Sequence, residues 1–250
     1  MTKRLAAFLA IALVAGCADM PGNDDRSVAQ AVEPSLRAAA AAAEANRDYS
    51  GAVQHLGTIY QHRSDDPGIG VALARNLRLS GQPQTAADVM QAQLARTPRD
   101  PDLLIEVGKD YLAADRVALA VRNLELARTV APERWDAHAT LAVAFDLSER
   151  RDEAAAAYAR ALALSPDNPV VLNNLALSQA LAGRLDEALA TIGRAADLPA
   201  ASVQIRQNLA LLLAFKGDGQ AAEKLVRHDL PADMAKANSE ILRGLAASSR

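Results

Sequence analysis

Aromatic side chains are nearly missing from this chain, which holds one Trp, four Tyr and three Phe among its 250 residues. The β-branched and aromatic residues that fill pleated sheets are scarce, so sandwiches, barrels and base-stacking nucleic-acid platforms are excluded. Cysteine occurs once, at Cys17, which rules out an internal disulfide framework and a cysteine-built zinc site. An excess of positive charge is missing as well. With 27 basic and 30 acidic residues the formal charge is −3, no field for collecting polyanions, so nucleic acid is not an expected partner. Half of the side chains are nonetheless hydrophobic, and alanine and leucine, both strong helix formers, supply most of them. The fold class expected is all-α.

Chemistry-bearing motifs are also missing. His55, His62, His138 and His228 show neither the HExxH spacing of a zinc protease nor a neighbouring nucleophile. His55 and His62 lie seven apart, a poor spacing for a shared metal, and His138 falls at a packing position. Gly68-Ile69-Gly70 lacks the preceding strand and the Lys-Ser/Thr of a phosphate loop. Asp152-Glu153 and Asp186-Glu187 read as carboxylates that cap helices and complement the helix dipole. No catalytic residue, metal, cofactor or small-molecule substrate is expected, and the chain reads as no enzyme.

At the N-terminus, Lys3 and Arg4 precede an apolar run from Leu5 to Ala15, eleven residues and too short to span a bilayer of roughly 30 Å hydrocarbon. Val14-Ala15-Gly16-Cys17 then resembles the lipobox of bacterial lipoproteins, which implies a signal peptide over 1–16 and lipid attachment at Cys17. An ordinary secretory signal with an incidental cysteine is the other reading. Removing 1–16 takes away Lys3 and Arg4 and no acid, leaving a formal charge of −5, so acyl chains rather than basic residues would hold the protein to the membrane. By resemblance to enteric lipoproteins, Ala18 in place of Asp favours the outer membrane, facing the periplasm, although Asp19 follows it. Residues 17–32 form the acylated end and a linker without apolar period, expected to be flexible with a reach of roughly 20 Å.

From Glu33 onward the chain repeats every 34 residues through six blocks, 33–66, 67–100, 101–134, 135–168, 169–202 and 203–236. Block position 20 is Ala52, Ala86, Ala120, Ala154, Ala188 and Ala222. Position 8 is Ala40, Ala74, Gly108, Ala142, Ala176 and Ala210, and position 7 before it is mostly large: Leu73, Val107, Leu141, Leu175 and Leu209. Asp66-Pro67, Asp100-Pro101 and Asn168-Pro169 place an N-cap before a proline at the first helical position, and Gly81, Gly183 and Gly217 recur at position 15, where a left-handed residue ends one helix. The first block is degenerate, with alanines from Ala38 to Ala43 and Ser64 in place of the closing proline. The sixth departs at Asp229, where the other blocks are mostly small or apolar, and Met234, Ala237, Ile241 and Leu245 then form a helical stripe. Residues 232–246 are expected to be a capping helix over the last repeat.

These columns resemble the tetratricopeptide repeat. The block 135–168 carries it most fully, in Leu141-Ala142, Phe145, Ala154, Tyr158, Ala161 and Pro166. The resemblance implies a right-handed superhelical solenoid of helix pairs A and B that binds protein or peptide partners on its concave face, through positions 2, 5, 6, 9, 12 and 13 of helix A. In this chain those positions supply Arg75, Arg78 and Lys109, then Asn173, Asn174, Gln207 and Asn208. Arginine and lysine could hold acidic side chains or a carboxyl terminus, and the amides could bond a peptide backbone. The other reading leaves the arginines as solvated surface and the asparagines as repeat consensus. The carboxylate clamp of Hsp-binding members is not matched.

A lipoprotein signal ahead of such repeats is similar to several envelope families, including pilotins of type IV pili. The segment 206–245, with Asp229-Leu230-Pro231 and Ala235 to Asn238, resembles the end of the TadD family of tight-adherence (Tad/Flp) pilus assembly lipoproteins. That resemblance implies a non-enzymatic, pilotin-like assembly factor whose partner is a secretin or another Tad component. A general envelope adaptor, recruiting peptidoglycan or outer-membrane biogenesis proteins, is the alternative.

Overall fold

The computed structural model describes residues 25–229 and 232–248, with side chains described over 31–229 and 234–246. The expected signal peptide, Cys17 and the linker up to residue 24 lie outside the described residues, as do Leu230 and Pro231. The described residues form thirteen α-helices: α1 (Asp25–Ala45), α2 (Tyr49–His62), α3 (Pro67–Leu79), α4 (Pro83–Leu94), α5 (Pro101–Ala113), α6 (Val117–Val130), α7 (Trp135–Leu147), α8 (Arg151–Leu164), α9 (Pro169–Leu181), α10 (Leu185–Asp197), α11 (Val203–Phe215), α12 (Gly219–Asp229) and α13 (Ala232–Ser248). There is no strand among them, and none of these helices is long and apolar enough to cross a membrane. One expectation needs correction. Residues 25–32, read as the end of a flexible linker, are helical and continue into α1 through Pro34. Absence of an apolar period does not forbid a helix when helix-compatible residues such as Ala29, Gln30 and Ala31 lead into an alanine-rich run.

Helix ends follow the local chemistry. Asp66 Oδ1 accepts from the amides of Gly68 and Ile69, Asp100 Oδ1 from those of Asp102 and Leu103, and Asn168 Oδ1 from those of Val170 and Val171, each beside a proline in the first turn. Each such cap contributes about 1 kcal/mol. Asp152-Glu153 and Asp186-Glu187 are not caps. The N-cap positions of α8 and α10 belong to Arg150 and Arg184, whose side chains cap no amide and instead pair with Glu153 and Glu187 in the first turn. At block position 15 the backbone is left-handed in all six repeats: Gly81, Gly183 and Gly217 have φ of 84°, 77° and 91°, and Arg47, Asp115 and Glu149 adopt 59°, 58° and 59°. The turn geometry is therefore a property of the repeat, kept even where a Cβ makes it costly.

Within each repeat the two helices meet across the small columns. Ala52, Ala86, Ala120, Ala154, Ala188 and Ala222 are all fully buried, as are Ala74, Ala142, Ala176 and Ala210. At Gly108 a Cβ would stand 2.6 Å from Cγ and Cδ2 of Leu124, so α5 and α6 approach more closely than alanine permits. Position 24 fills the gap between helices with Leu56, Met90, Leu124, Tyr158, Ile192 and Val226, all buried. From α3 onward the odd-numbered helices pack one on the next as a continuous layer, α3 on α5, α5 on α7, α7 on α9, α9 on α11 and α11 on α13, while the even-numbered helices pack mainly on their odd-numbered neighbours, with one bond between even helices from Gln93 of α4 to Tyr60 of α2. The odd helices are thus the crowded inner layer of a superhelical array. Apolar packing forms one large cluster from Ala40 to Val171, a smaller one of Leu104, Ile105, Ala127 and Ala137 within the same span, another that joins Leu172, Ile192, Ile205 and Leu212 and meets the first at Leu162, and a last that joins Ala210, Val226 and Ala235 to Leu242 on α13.

Positions 4 and 27 exchange volume and charge between repeats. Gly70 leaves room for Gln93, Leu104 shares a cluster with Ala127, and Leu172 shares one with Ala195. In the sixth repeat the same two places hold Arg206 and Asp229, whose Nε and Oδ2 are 2.7 Å apart, while Arg206 Nη1 donates to the Ala201 carbonyl. The hydrogen bond from Arg206 holds the Asp229 carboxyl below the usual carboxylate range. The departure at Asp229 is therefore a compensated one. Asp229→Ala, which strands a half-buried guanidinium, should cost about 1–3 kcal/mol in urea denaturation. The double variant Arg206→Leu/Asp229→Ala, which copies the pairing of repeat five, should regain most of it; a double variant as unstable as the single would refute the exchange.

Candidate peptide-binding groove

The inner face is built by the odd helices, and a polar ladder runs along part of it. Position 12 of one repeat meets position 10 of the next. Asn76 Nδ2 donates to Glu44 Oε1 at 2.5 Å and Ser178 Oγ donates to Asp146 Oδ1 at 2.9 Å. Between them in sequence, Arg78 Nη1 pairs with Asp110 Oδ1, while its Nη2 donates to Glu106 Oε2 at 3.2 Å. Asp146 also accepts from Tyr158 at 3.1 Å, so one carboxylate ties the helices of its own repeat and the next inner helix together. Burial, with the Asp146 charge adding to it, pushes the Tyr158 phenol up.

Arg78 and Lys109, expected as ligand-facing cations, are already engaged. Lys109 Nζ lies 2.7 Å from Glu106 Oε1, and Arg78 is shared by Glu106 and Asp110, so two cations face two carboxylates in a self-neutralising cluster. Arg75 alone of the three is exposed without an ion pair among the described residues. The half read as basic is thus close to charge-balanced. Sequence spacing hid this because Asp110 stands 32 residues from Arg78.

Asp110 is fully buried, and its second oxygen, Oδ2, has no hydrogen-bond partner among the described residues; neither does Asn76 Oδ1. Burial pushes the Asp110 carboxyl up to about 6 against the pull of Arg78. Burial also acts to raise Glu106, but Lys109 and Arg78 outweigh it and hold that carboxyl below its ordinary range. The amides of the other half form a chain: Gln204 Nε2 donates to Asn208 Oδ1, Asn208 Nδ2 to Asn173 Oδ1, and Asn173 Nδ2 to Asn174 Oδ1, at 3.2, 2.8 and 3.1 Å. Asn173 is buried within it, whereas Asn174, Gln207 and Asn208 remain half-exposed. The structure thus brings Asn173, Asn174 and Asn208 together, with Gln207 beside Asn208 in α11 and the arginines and Lys109 on α3 and α5.

Sequence reasoning passed over a row at position 13. Leu79, Leu147, Leu181 and Phe215 end their inner helices with side chains 51%, 56%, 76% and 46% exposed. The 34-residue step from Leu147 to Leu181 to Phe215 was a readable signal, but apolar residues in a repeat look like core. The histidines do not assemble a site: His138 is buried with Nε2 2.9 Å from the Pro132 carbonyl, and His228 is exposed beside Asp229. Among the described residues no three potential metal ligands cluster.

Comparisons with known proteins agree on the fold. Tetratricopeptide repeat patterns match residues 137–170, close to the fourth block, and 157–190, which run from α8 into α10. No curated protein sequence gives a significant match. Among solved structures, a thermophilic tetratricopeptide repeat protein of Thermus thermophilus superposes with a TM-score of 0.63 at 22% identity, covering 74% of this chain and 98% of its own. A tetratricopeptide repeat protein of Parabacteroides merdae gives 0.70 at 14% identity, over 89% and 94% of the two chains. PilF of Pseudomonas aeruginosa gives 0.55 at 16%, over 82% and 91%.

The buried carboxylate supplies a pH test. A group whose folded pKa is raised binds its proton more tightly in the folded state, so its contribution to stability is present below the unfolded pKa and lost as pH rises through about 6. Relative to Asp110→Asn, the wild type should gain about 1.4 kcal/mol on going from pH 7.5 to pH 5 in urea denaturation. Parallel pH dependences for the two proteins would remove Asp110 as the titrating group. With two repeat signatures in its own sequence and the same helix-pair array in structures that share little sequence with it, the chain has the fold of a tetratricopeptide repeat solenoid.

Proposed function

We propose that this solenoid is a non-enzymatic scaffold, anchored in the bacterial envelope through a lipid on Cys17, that assists assembly of the Tad/Flp pilus secretion machine. It holds a segment of a partner, a secretin or another Tad component, against its inner face. The observation that carries the reading is the inner layer from α3 to α11, which keeps hydrogen-bonding amides and exposed apolar side chains on the face a partner would meet. Two sequence features support the envelope location and the link to this machine. Val14-Ala15-Gly16-Cys17 provides the attachment signal, and Asp229-Leu230-Pro231 with Ala235 to Asn238 provides the resemblance to TadD. A lipid tether facing the periplasm from the outer membrane would raise the effective concentration of a membrane-bound partner without any additional contact.

Mass spectrometry of the full-length protein should find an acyl mass on Cys17 and the protein in the membrane fraction, with Cys17→Ala released. Deleting the gene should abolish piliation. Unchanged piliation in the deletion strain would overturn the Tad assignment in favour of a general envelope adaptor, and a wild type without acyl mass would overturn the anchoring.

A further inference from the structure

The two halves of the inner face differ in kind. In repeats two and three its cations and carboxylates are committed to one another, apart from Arg75. On the inner helices of repeats five and six charge is scarce: α9 contains no ionisable side chain, the single one in α11, Arg206, is turned to Asp229, and Arg151 of α8 is drawn to the Leu181 carbonyl at the end of α9. The neighbouring Asp146 of α7 is already held by Tyr158 and Ser178. What this half offers is the amide chain, with hydrogen-bonding capacity left over. Asn174 accepts one bond and its amide nitrogen is unused, Gln204 donates one and its carbonyl is unused, and the Gln207 side chain has no partner among the described residues. Flanking these amides stand Val170, Leu181 and Phe215, exposed, with Leu177 and Leu211 half-buried.

We infer that the inner face of α9 and α11 binds an uncharged, apolar, extended peptide segment of a partner protein. This rests on the groove-docking reading above and names the chemistry of what is docked. Three physical arguments select this occupant. A charged side chain brought here would lose part of its water without meeting a counter-ion on α9 or α11, a cost that a neutral segment avoids. Free donors and acceptors side by side suit the alternating N–H and C=O groups of an extended backbone, whereas a helical peptide has already satisfied its own. Adjacent inner helices stand about 9 Å apart, close to three residues of extended chain at roughly 3.3 Å each, so the amides of α9 and α11 can meet one strand in succession. Apolar side chains of that strand would then cover Leu181 and Phe215.

The test pans a phage-displayed library of random twelve-residue peptides against the full chain purified in detergent, then measures the best synthetic peptide by fluorescence anisotropy. The expected result is a selected set depleted in Asp, Glu, Lys and Arg. Asn174→Ala and Leu181→Ser should each weaken binding roughly tenfold, while Arg75→Ala leaves it within about twofold. Methylating alternate backbone nitrogens of the peptide should abolish binding. Both substituted side chains reach solvent, and circular dichroism checks that the variants stay folded. Selection of acidic peptides whose binding needs Arg75 would overturn this inference and leave groove docking standing. No enrichment over the bare support would remove both. A dimer in sedimentation equilibrium that Leu181→Ser dissolves would make the occupant a second copy of this chain and likewise overturn the inference.

Discussion

The close approach of helices A and B within each repeat is the contact on which the rest depends. It requires a residue no larger than alanine at positions 8 and 20, and the buried alanines there, with Gly108 as the tightest case, meet that requirement. Once the pair is closed, the large residue at position 24 can fill the space between helices and the next repeat can stack on the exposed stripe. No single helix could bury its apolar side alone. Stability is accordingly a sum over neighbours, which is why the chain tolerates a degenerate first block and an ionic exchange at Arg206 and Asp229 without losing register.

The inner layer answers a different constraint. Residues that face it must satisfy their polar groups within reach of the next repeat, and the 12-to-10 ladder does this with whatever chemistry is present: amide to carboxylate at Asn76, guanidinium to carboxylate at Asp110, hydroxyl to carboxylate at Asp146. In the second and third repeats the ladder consumes nearly all the charge it contains. The fifth and sixth repeats carry amides whose mutual hydrogen bonds leave groups over. The face is therefore closed to solution chemistry at one end and open at the other.

How much of this could be read beforehand follows from where the signal lies. Helix pairs, turns and the Asp-Pro and Asn-Pro caps were legible because each rests on residues close in sequence: Asp66 beside Pro67, or Gly81 at the turn. The pairing of Arg78 with Asp110 was not, since it joins two blocks and any exposed arginine looks alike in one dimension. The expected peptide-facing set named Asn173, Asn174 and Asn208 but was silent about the chain of bonds that joins them. The row at position 13 was overlooked, because hydrophobicity marks burial only on average and Leu181 is an exception that helix geometry alone reveals. Helix over 25–32 was missed for the converse reason: an apolar period marks a helix with a buried face, and a helix can run without one.

The divided core has a mechanical meaning. Apolar contact is continuous from Ala40 to Val171 and passes through Leu162 to the packing around Ile192, while the packing between α11 and α13 forms a separate cluster. A load applied between the two ends would not be carried by one cooperative unit. Displacing α13 would therefore uncover the apolar surface of Ala210, Val226 and Ala222 while leaving the packing around Tyr111 and Tyr158 intact.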